Sequence, residues 1–558
     1  MGSFVTLLLF LLCISRYASA NPKITVNIEA EAVLSDIVEV KAEANSDAGI
    51  TRVEFSVNDQ LRATVTKPPY QYRWDTIEEE EGTHTLIVSA YDGSGKAASK
   101  RIKVEVDNNL SLGIKAHAEK AHTLFRRGDF DGAALSGRKA YRINRNDIDA
   151  IRAMAAAVGG QGDYNRALDL LEKPPMENNQ VIGDPTRFPL ADRAAMELRG
   201  LFRLRRAATQ TTATAMVADL AVAYDLGKRL IEKMTADIRA RHPESDRSPA
   251  NLMALGDALV LNGKFEQAHA LYRQIPVAGE SGVAARHRIA YSLANLGRVR
   301  EAEMLLLGMV NGSEGNNATR AMLGWIYLLQ RRFAAAREIS ERPAQQNSLT
   351  GLIVYGYASL AQRDFRRAAD ALRRAAERSD LPEVSYLAAC YFTDTGDLKR
   401  ATDFLLLTIG YFTTNFDLYA LRGFQIAALN PKDGFSQAQV FFDFVIQRDP
   451  QNLAARLGKG ITLIQQKQFK AADPLLLNLS RDDRNSADVW MALAAAYTGN
   501  RNEQRYANEA MDMAKRLDPE RFGDRMIPKM PEFVWKVIPY RRTPLLTPAL
   551  LTAEESGR

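Results

Sequence analysis

The 558-residue chain has two cysteines, Cys13 and Cys390, and six histidines. A disulfide framework is excluded: if Cys13 leaves with an N-terminal leader, Cys390 has no partner and the fold stands on packing alone. No apolar run reaches the roughly 18 residues that a membrane-spanning helix needs. None of the histidines forms a zinc-protease pair, and His117 and His122, five apart, do not share a helical face. A phosphate-cradling glycine loop and a serine nucleophile elbow are also missing. Lacking a convergent set of reactive groups, the sequence predicts no catalytic residue, no cofactor and no metal site.

What is present is ordinary for globular protein: 46% apolar and 25% charged residues. The length exceeds what one hydrophobic core serves, so a multi-domain chain is expected. Phe4 to Ile14 is an uncharged apolar block followed by Ala18-Ser19-Ala20. A short apolar core followed by small residues reads as a secretory signal over residues 1–20, cut after Ala20. No Lys or Arg precedes the block. A buried N-terminal helix is the alternative, and the bulky Leu11 and Leu12 argue against a lipid anchor on Cys13.

Charge is unevenly spread. Residues 21–107 carry 10 Lys/Arg against 16 Asp/Glu, a net of −6. Subtracting that and Arg16 from the total of +6 leaves about +11 on the remainder. A basic remainder favours acidic partners or an anionic surface. Its basic residues do not cluster, so no nucleic-acid partner is expected.

From Lys23 to Val106 polar and apolar residues alternate, as in Val53-Glu54-Phe55-Ser56-Val57 and Ile102-Lys103-Val104-Glu105-Val106. Turn residues such as Pro68-Pro69 and Asp92-Gly93-Ser94-Gly95 separate these runs. Six or seven short strands with one apolar face each predict an all-β sandwich over 21–107. The stretches Val53 to Asp59, Pro69 to Asp75, Gly82 to Leu86 and Ala90 to Gly95 resemble bacterial immunoglobulin-like domains of exported proteins. That resemblance implies that Trp74 fills the core where antibody domains place a disulfide. Glu78 to Glu81 read as a solvated acidic loop, with calcium binding the alternative.

After Asn108 the spacing becomes helical. A turn, a large marker residue and a small residue three places later recur with markers at Phe130, Tyr164, Phe265, Val299, Phe333, Phe365, Leu398, Phe435 and Phe469. Most intervals are close to 34 residues, the period of the tetratricopeptide repeat. Nine residues before the marker stands a small residue, as at Gly256, Gly324, Gly356 and Gly460. The pattern resembles that family, and implies an all-α superhelical solenoid over 110–520, with a degenerate tenth copy from Ser486. One hairpin cannot bury its apolar face alone, so copies must stack. The interval from Tyr164 to Phe265 spans about three periods and reads as one oversized hairpin near 187–241, or as an inserted arm. Residues 524–558 form a Pro-rich tail, with Pro528, Pro531, Pro539, Pro544 and Pro548. It is expected to be non-helical, either disordered or extended along the superhelix.

In the resembled family the first helix of each hairpin lines a concave groove. The corresponding positions here are Asp257, Tyr291, Trp325 and Tyr357, with Phe424 after a longer repeat. A run of aromatics on a concave wall suits a protein or peptide partner, buried at low entropic cost; ordinary packing between repeats is the alternative. The reading is an exported non-catalytic scaffold of the periplasm or cell surface, within an envelope or membrane-associated complex. A glycan-associated adhesion or polysaccharide-export component is the alternative, and self-capture of the groove by the tail is a further expectation.

Overall fold

The computed structural model describes residues 21–555 apart from 178, 313, 413, 501, 502, 524, 525 and 541; the signal expected over 1–20 lies outside the described residues. The chain divides into two compact units, Met1–His122 with Asp131–Ala157, and Thr123–Phe130 with Val158–Arg558.

The first unit holds eight strands: β1 (Lys23–Val26), β2 (Val33–Leu34), β3 (Ile37–Asn45), β4 (Ile50–Val57), β5 (Gln60–Val65), β6 (Tyr70–Asp75), β7 (Gly82–Asp92) and β8 (Ala97–Val106). They form two sheets, ordered β1-β3-β6 and β2-β8-β7-β4-β5. Alternation puts one face of each strand inside. Val53, Phe55 and Val57 of β4 pair with Ala90, Val88 and Leu86 of β7, and all six are fully buried. Trp74 faces them in the same core, and its indole N–H donates to Glu79 Oε1 at 3.2 Å.

The acidic loop is exposed at Glu78, Glu80 and Glu81, as expected from sequence, yet its carboxylates are engaged. Glu79 pairs with Arg62, Glu81 Oε1 accepts the Asn108 and Leu110 amides, and Glu78 and Glu80 reach helical arginines of the same unit. Helix α1 (Gly113–Arg126) and helix α2 (Phe130–Ile143) begin the helical part, and α2 carries Arg138, Lys139 and Arg142. Arg138 pairs with Asp75 at 2.5 Å and Glu78 at 2.9 Å, Lys139 with Asp36 at 2.6 Å, and Arg142 with Glu80 at 3.2 Å. The net −6 of the sandwich therefore has a use inside this unit: it docks the basic face of α2. Among the described residues, no group of three His, Cys, Asp or Glu side chains is placed to hold a metal ion.

Helices continue as α3 (Ile148–Gly160), α4 (Tyr164–Glu172), α5 (Arg193–Ala207), α6 (Ala213–Arg241), α7 (Pro249–Leu261), α8 (Phe265–Tyr272), α9 (Gly279–Asn295) and α10 (Val299–Asn311). Next come α11 (Asn317–Leu329), α12 (Phe333–Gln345), α13 (Leu349–Ala361), α14 (Phe365–Arg378), α15 (Pro382–Thr395) and α16 (Leu398–Tyr411). The last full hairpins are α17 (Phe416–Leu429), α18 (Gly434–Arg448), α19 (Leu453–Gln465), α20 (Phe469–Asp482), α21 (Ala487–Gly499) and α22 (Gln504–Leu517). None of the described helices is long and apolar enough to cross a membrane.

Apart from Phe435, which is the second residue of α18, each marker residue opens the second helix of its hairpin. Two positions earlier the backbone is left-handed, at Gly128, Gly162, Gly263, Gly297 and Gly396, and also at Arg331, Arg363 and Lys467. The small residue nine places before the marker sits where two helices touch. A Cβ added at Gly256 would lie 2.2 Å from the Tyr272 ring, so only glycine fits.

The oversized hairpin is α5 with the 29-residue α6. Asp192 and Thr212 cap their N-termini, and Asp219 on α6 accepts from Arg203 and Arg206 on α5. This hairpin packs on α4 and α7, and also meets α16 and α18 much later in the chain. Tyr224 stacks on Phe416 with centroids 5.4 Å apart, and Leu201 lies against Gly410. The second unit thus closes on itself between its early and late hairpins.

Candidate functional site

Helix α13, the first helix of its hairpin, is apolar nearly all round. In α13 the sequence Leu-Thr-Gly-Leu-Ile-Val-Tyr-Gly-Tyr-Ala-Ser-Leu-Ala has no charge, and all but Tyr355 and the terminal Ala361 is counted in the core or close to it. A helix apolar on every face is covered on every face. The cover is the tail. Three short helices, α23 (Pro519–Phe522), α24 (Met530–Val537) and α25 (Pro548–Glu555), lie beyond α22. This corrects the expectation of a non-helical tail: Pro531 and Pro548 fall in the first turns of α24 and α25, where a missing N–H costs nothing, while Pro528 and Pro544 lie in the links between helices.

The tail runs back along the repeats. Helix α24 packs on α19 and α17, residues 538–540 on α17 and α15, and α25 on α13, α11 and α9. Met530, Phe533, Val534, Val537, Ile538, Leu546, Leu550 and Leu551 are all buried. At roughly 1.5–3 kcal/mol for each large apolar side chain removed from water, this is strong anchoring. Arg521 fixes the start, pairing with Asp488 at 2.7 Å and lying over the Tyr540 ring at 3.3 Å.

Polar contacts fix the register. Arg542 donates to the Cys390 carbonyl and to Asp394 Oδ2, both at 2.9 Å. The Trp325 indole N–H donates to the Pro544 carbonyl at 3.1 Å. The Thr547 hydroxyl donates to Glu383, and Arg288 donates to the Thr552 hydroxyl at 2.7 Å. Burial pushes the Tyr357 hydroxyl well above its usual range, while the Leu545 backbone and Arg542 work against that shift. Burial likewise pushes the Cys390 thiol up to about 11, so it is held as an unreactive thiol.

Of the residues singled out from sequence, Tyr291 and Trp325 come together, and Tyr357 meets another tyrosine. Tyr291 stacks on Trp325 with centroids 5.6 Å apart, and Tyr357 lies against Tyr386 at 6.1 Å, all beneath the tail. Asp257 pairs with Arg288 at 3.0 Å and accepts from the Tyr272 hydroxyl at 2.7 Å, so it meets the tail through Arg288. Phe424 is not part of this stack: its ring packs edge-on against Phe442 of α18 at 5.1 Å. Sequence reasoning missed Glu383, Asp394 and Arg288. Glu383 falls in the first turn of α15, inside an otherwise apolar run, which is the signal that marks a buried carboxylate. A cavity of about 710 Å³ remains beside residues 543–546, walled by Lys228, Glu232, Asn262, Asn295, Trp325 and Asp417 among others.

The sequence matches a family model for a bacterial Ig domain over residues 22–88 and one for a tetratricopeptide repeat over residues 435–496. No curated protein sequence matches the chain. Among solved structures, the APC/C hetero-tetramer Cut9-Hcn1 is 15% identical, with a TM-score of 0.44, covering 77% of this chain and 90% of that one. YrrB, described as a TPR protein with an unusual peptide-binding site, is 17% identical, with a TM-score of 0.23, over 31% of this chain and 89% of that one. The fibronectin(III)-like modules of CbhA from Clostridium thermocellum are 26% identical, with a TM-score of 0.14, over 16% of this chain and 47% of that one. A bacterial Ig domain suggests an extracellular or surface-exposed protein, and tetratricopeptide-repeat proteins are typically non-catalytic scaffolds for protein or peptide partners. The chain carries a bacterial Ig domain followed by a solenoid of tetratricopeptide repeats.

Proposed function

We propose that the chain is an exported, non-catalytic scaffold that takes an extended segment of a partner protein into its concave groove. On this reading residues 1–20 are a leader, 21–107 the sandwich, 110–520 the solenoid and 524–558 a resident occupant of the groove. The protein works in the periplasm or at the cell surface, in an envelope or membrane-associated complex. Tyr291, Trp325 and Tyr357 form the floor of the groove, Asp257 orients Arg288 at one end, and Phe424 supports α17 from the core.

The observation that carries this reading is the seat of residues 542–552. They are held as a peptide ligand is held, by aromatic floor contacts, a bond to one backbone carbonyl and buried side-chain anchors. A groove with the shape and chemistry for its own tail has the shape and chemistry for a similar segment of another chain.

The test uses the full chain with Arg542→Ala and Leu550→Ala to loosen the tail. Retention of a partner from envelope extract should rise over the parent protein. It should fall again when a synthetic peptide of residues 540–555 is added, or when Trp325→Ala is introduced. Retention that ignores both the peptide and Trp325 would place the partner on another surface and overturn the reading.

A further inference from the structure

The groove is filled, yet its occupant leaves part of the wall unsatisfied. Glu383 Oε2 and Asp394 Oδ1 are buried beside the tail without a hydrogen-bond partner. Glu383 is wholly buried and meets the tail only through the Thr547 hydroxyl, a neutral donor. The Asp394 side chain is 9% exposed and holds Arg542 through one oxygen, because the other arm of that guanidinium is spent on the Cys390 carbonyl. Buried carboxylate oxygens are costly when left bare, and cationic donors satisfy them best.

We propose, building on the groove reading above, that the natural partner segment is basic and leucine-bearing. It places an arginine on Asp394, a lysine or arginine on Glu383 where the tail has Thr547, and leucines at the seats of Leu546 and Leu550. Acidic segments are excluded by the same two carboxylates. The tail is tethered, so its effective concentration is on the order of millimolar, and a partner must win by better contacts. The charge facing Glu383 is the contact the tail lacks. It must also outweigh a loss, because Thr547 caps α25 by accepting the Leu550 amide at 3.3 Å.

Two labelled peptides of residues 540–555, one native and one with Thr547→Lys, are titrated by fluorescence anisotropy into the full chain carrying Arg542→Ala and Leu550→Ala. The lysine peptide should bind about tenfold more tightly, and Glu383→Gln in the chain should erase that gain. Equal or weaker binding of the lysine peptide overturns the inference and leaves the groove reading standing. If neither peptide binds a chain that keeps its helical circular dichroism and melting transition, the groove reading falls and takes the inference with it. Should the loosened chain fail to fold, Thr547→Lys is placed in the otherwise intact protein. Hydrogen exchange over residues 542–552 should then slow severalfold, and Glu383→Gln should reverse the effect. Unchanged or faster exchange overturns the proposal.

Discussion

Single carboxylates carry much of what is unusual here. Burial raises the Glu383 carboxyl above its ordinary value of 4.5, with the Thr547 hydroxyl working against the shift. A raised folded value means that stability is complete below the unfolded value and is lost as pH rises through the folded one. Glu383→Gln should therefore stabilise the protein at neutral pH, by about 1–3 kcal/mol, and the difference should vanish near pH 4. Thermal melting of both proteins across pH checks this. Asp92 shows the opposite sign. Its carboxylate accepts from the Ser94 hydroxyl and amide, the Ser46 hydroxyl and the Lys96 amide, which hold it down at about 2 from an ordinary 3.8. Its contribution is present above 3.8 and is lost as pH falls toward 2. Tryptophan fluorescence of the isolated acid transition should show Asp92→Asn flattening the loss between those values.

At the scale of elements, the hairpin turns obey one backbone rule with two chemistries. Gly263 has φ +69°, which glycine adopts freely, whereas Lys467 holds φ +60° at the equivalent place. A left-handed non-glycine residue costs about 1–2 kcal/mol. Gly263→Ala should destabilise by about that amount, while Lys467→Gly should be neutral or stabilising by up to about 1 kcal/mol. Denaturant midpoints at constant m-value give both signs. The clamp of the sandwich on α2 is a second element-scale feature. A double-mutant cycle of Arg138→Ala with Asp75→Ala should return a coupling near 1 kcal/mol, for both side chains keep partial contact with water.

The second unit behaves as a closed body with its own chain at the centre. Helix α25 covers part of α9, α11 and α13. Leu550→Asp with Leu551→Asp should release the distal tail, lower the melting temperature and speed hydrogen exchange in those three helices first. Exchange confined to residues 542–555 would mean that the groove holds its form without an occupant.

Much of this was legible in sequence. Alternation around Val53 to Val57 marks a half-buried strand, and the 34-residue recurrence marks stacked hairpins, because both patterns record which face each residue must bury. Tyr291 and Trp325 stand 34 residues apart at equivalent places of successive repeats, and their rings stack. Phe424, expected on the same wall, packs its ring on Phe442 of the following helix, a contact that repeat spacing does not report. The tail is less legible, because Pro531 and Pro548 start short helices whereas Pro528 and Pro544 interrupt them, and composition alone does not separate the two roles. The sequence by itself determined the two architectures and the aromatic row, for these follow from local periodicity. Only the tertiary structure decided that the acidic loop pairs with α2, that α5 and α6 meet α16 and α18, and that residues 542–552 lie along α9 to α15. Those contacts join residues up to 264 positions apart, as in Arg288 and Thr552, and no local pattern encodes them.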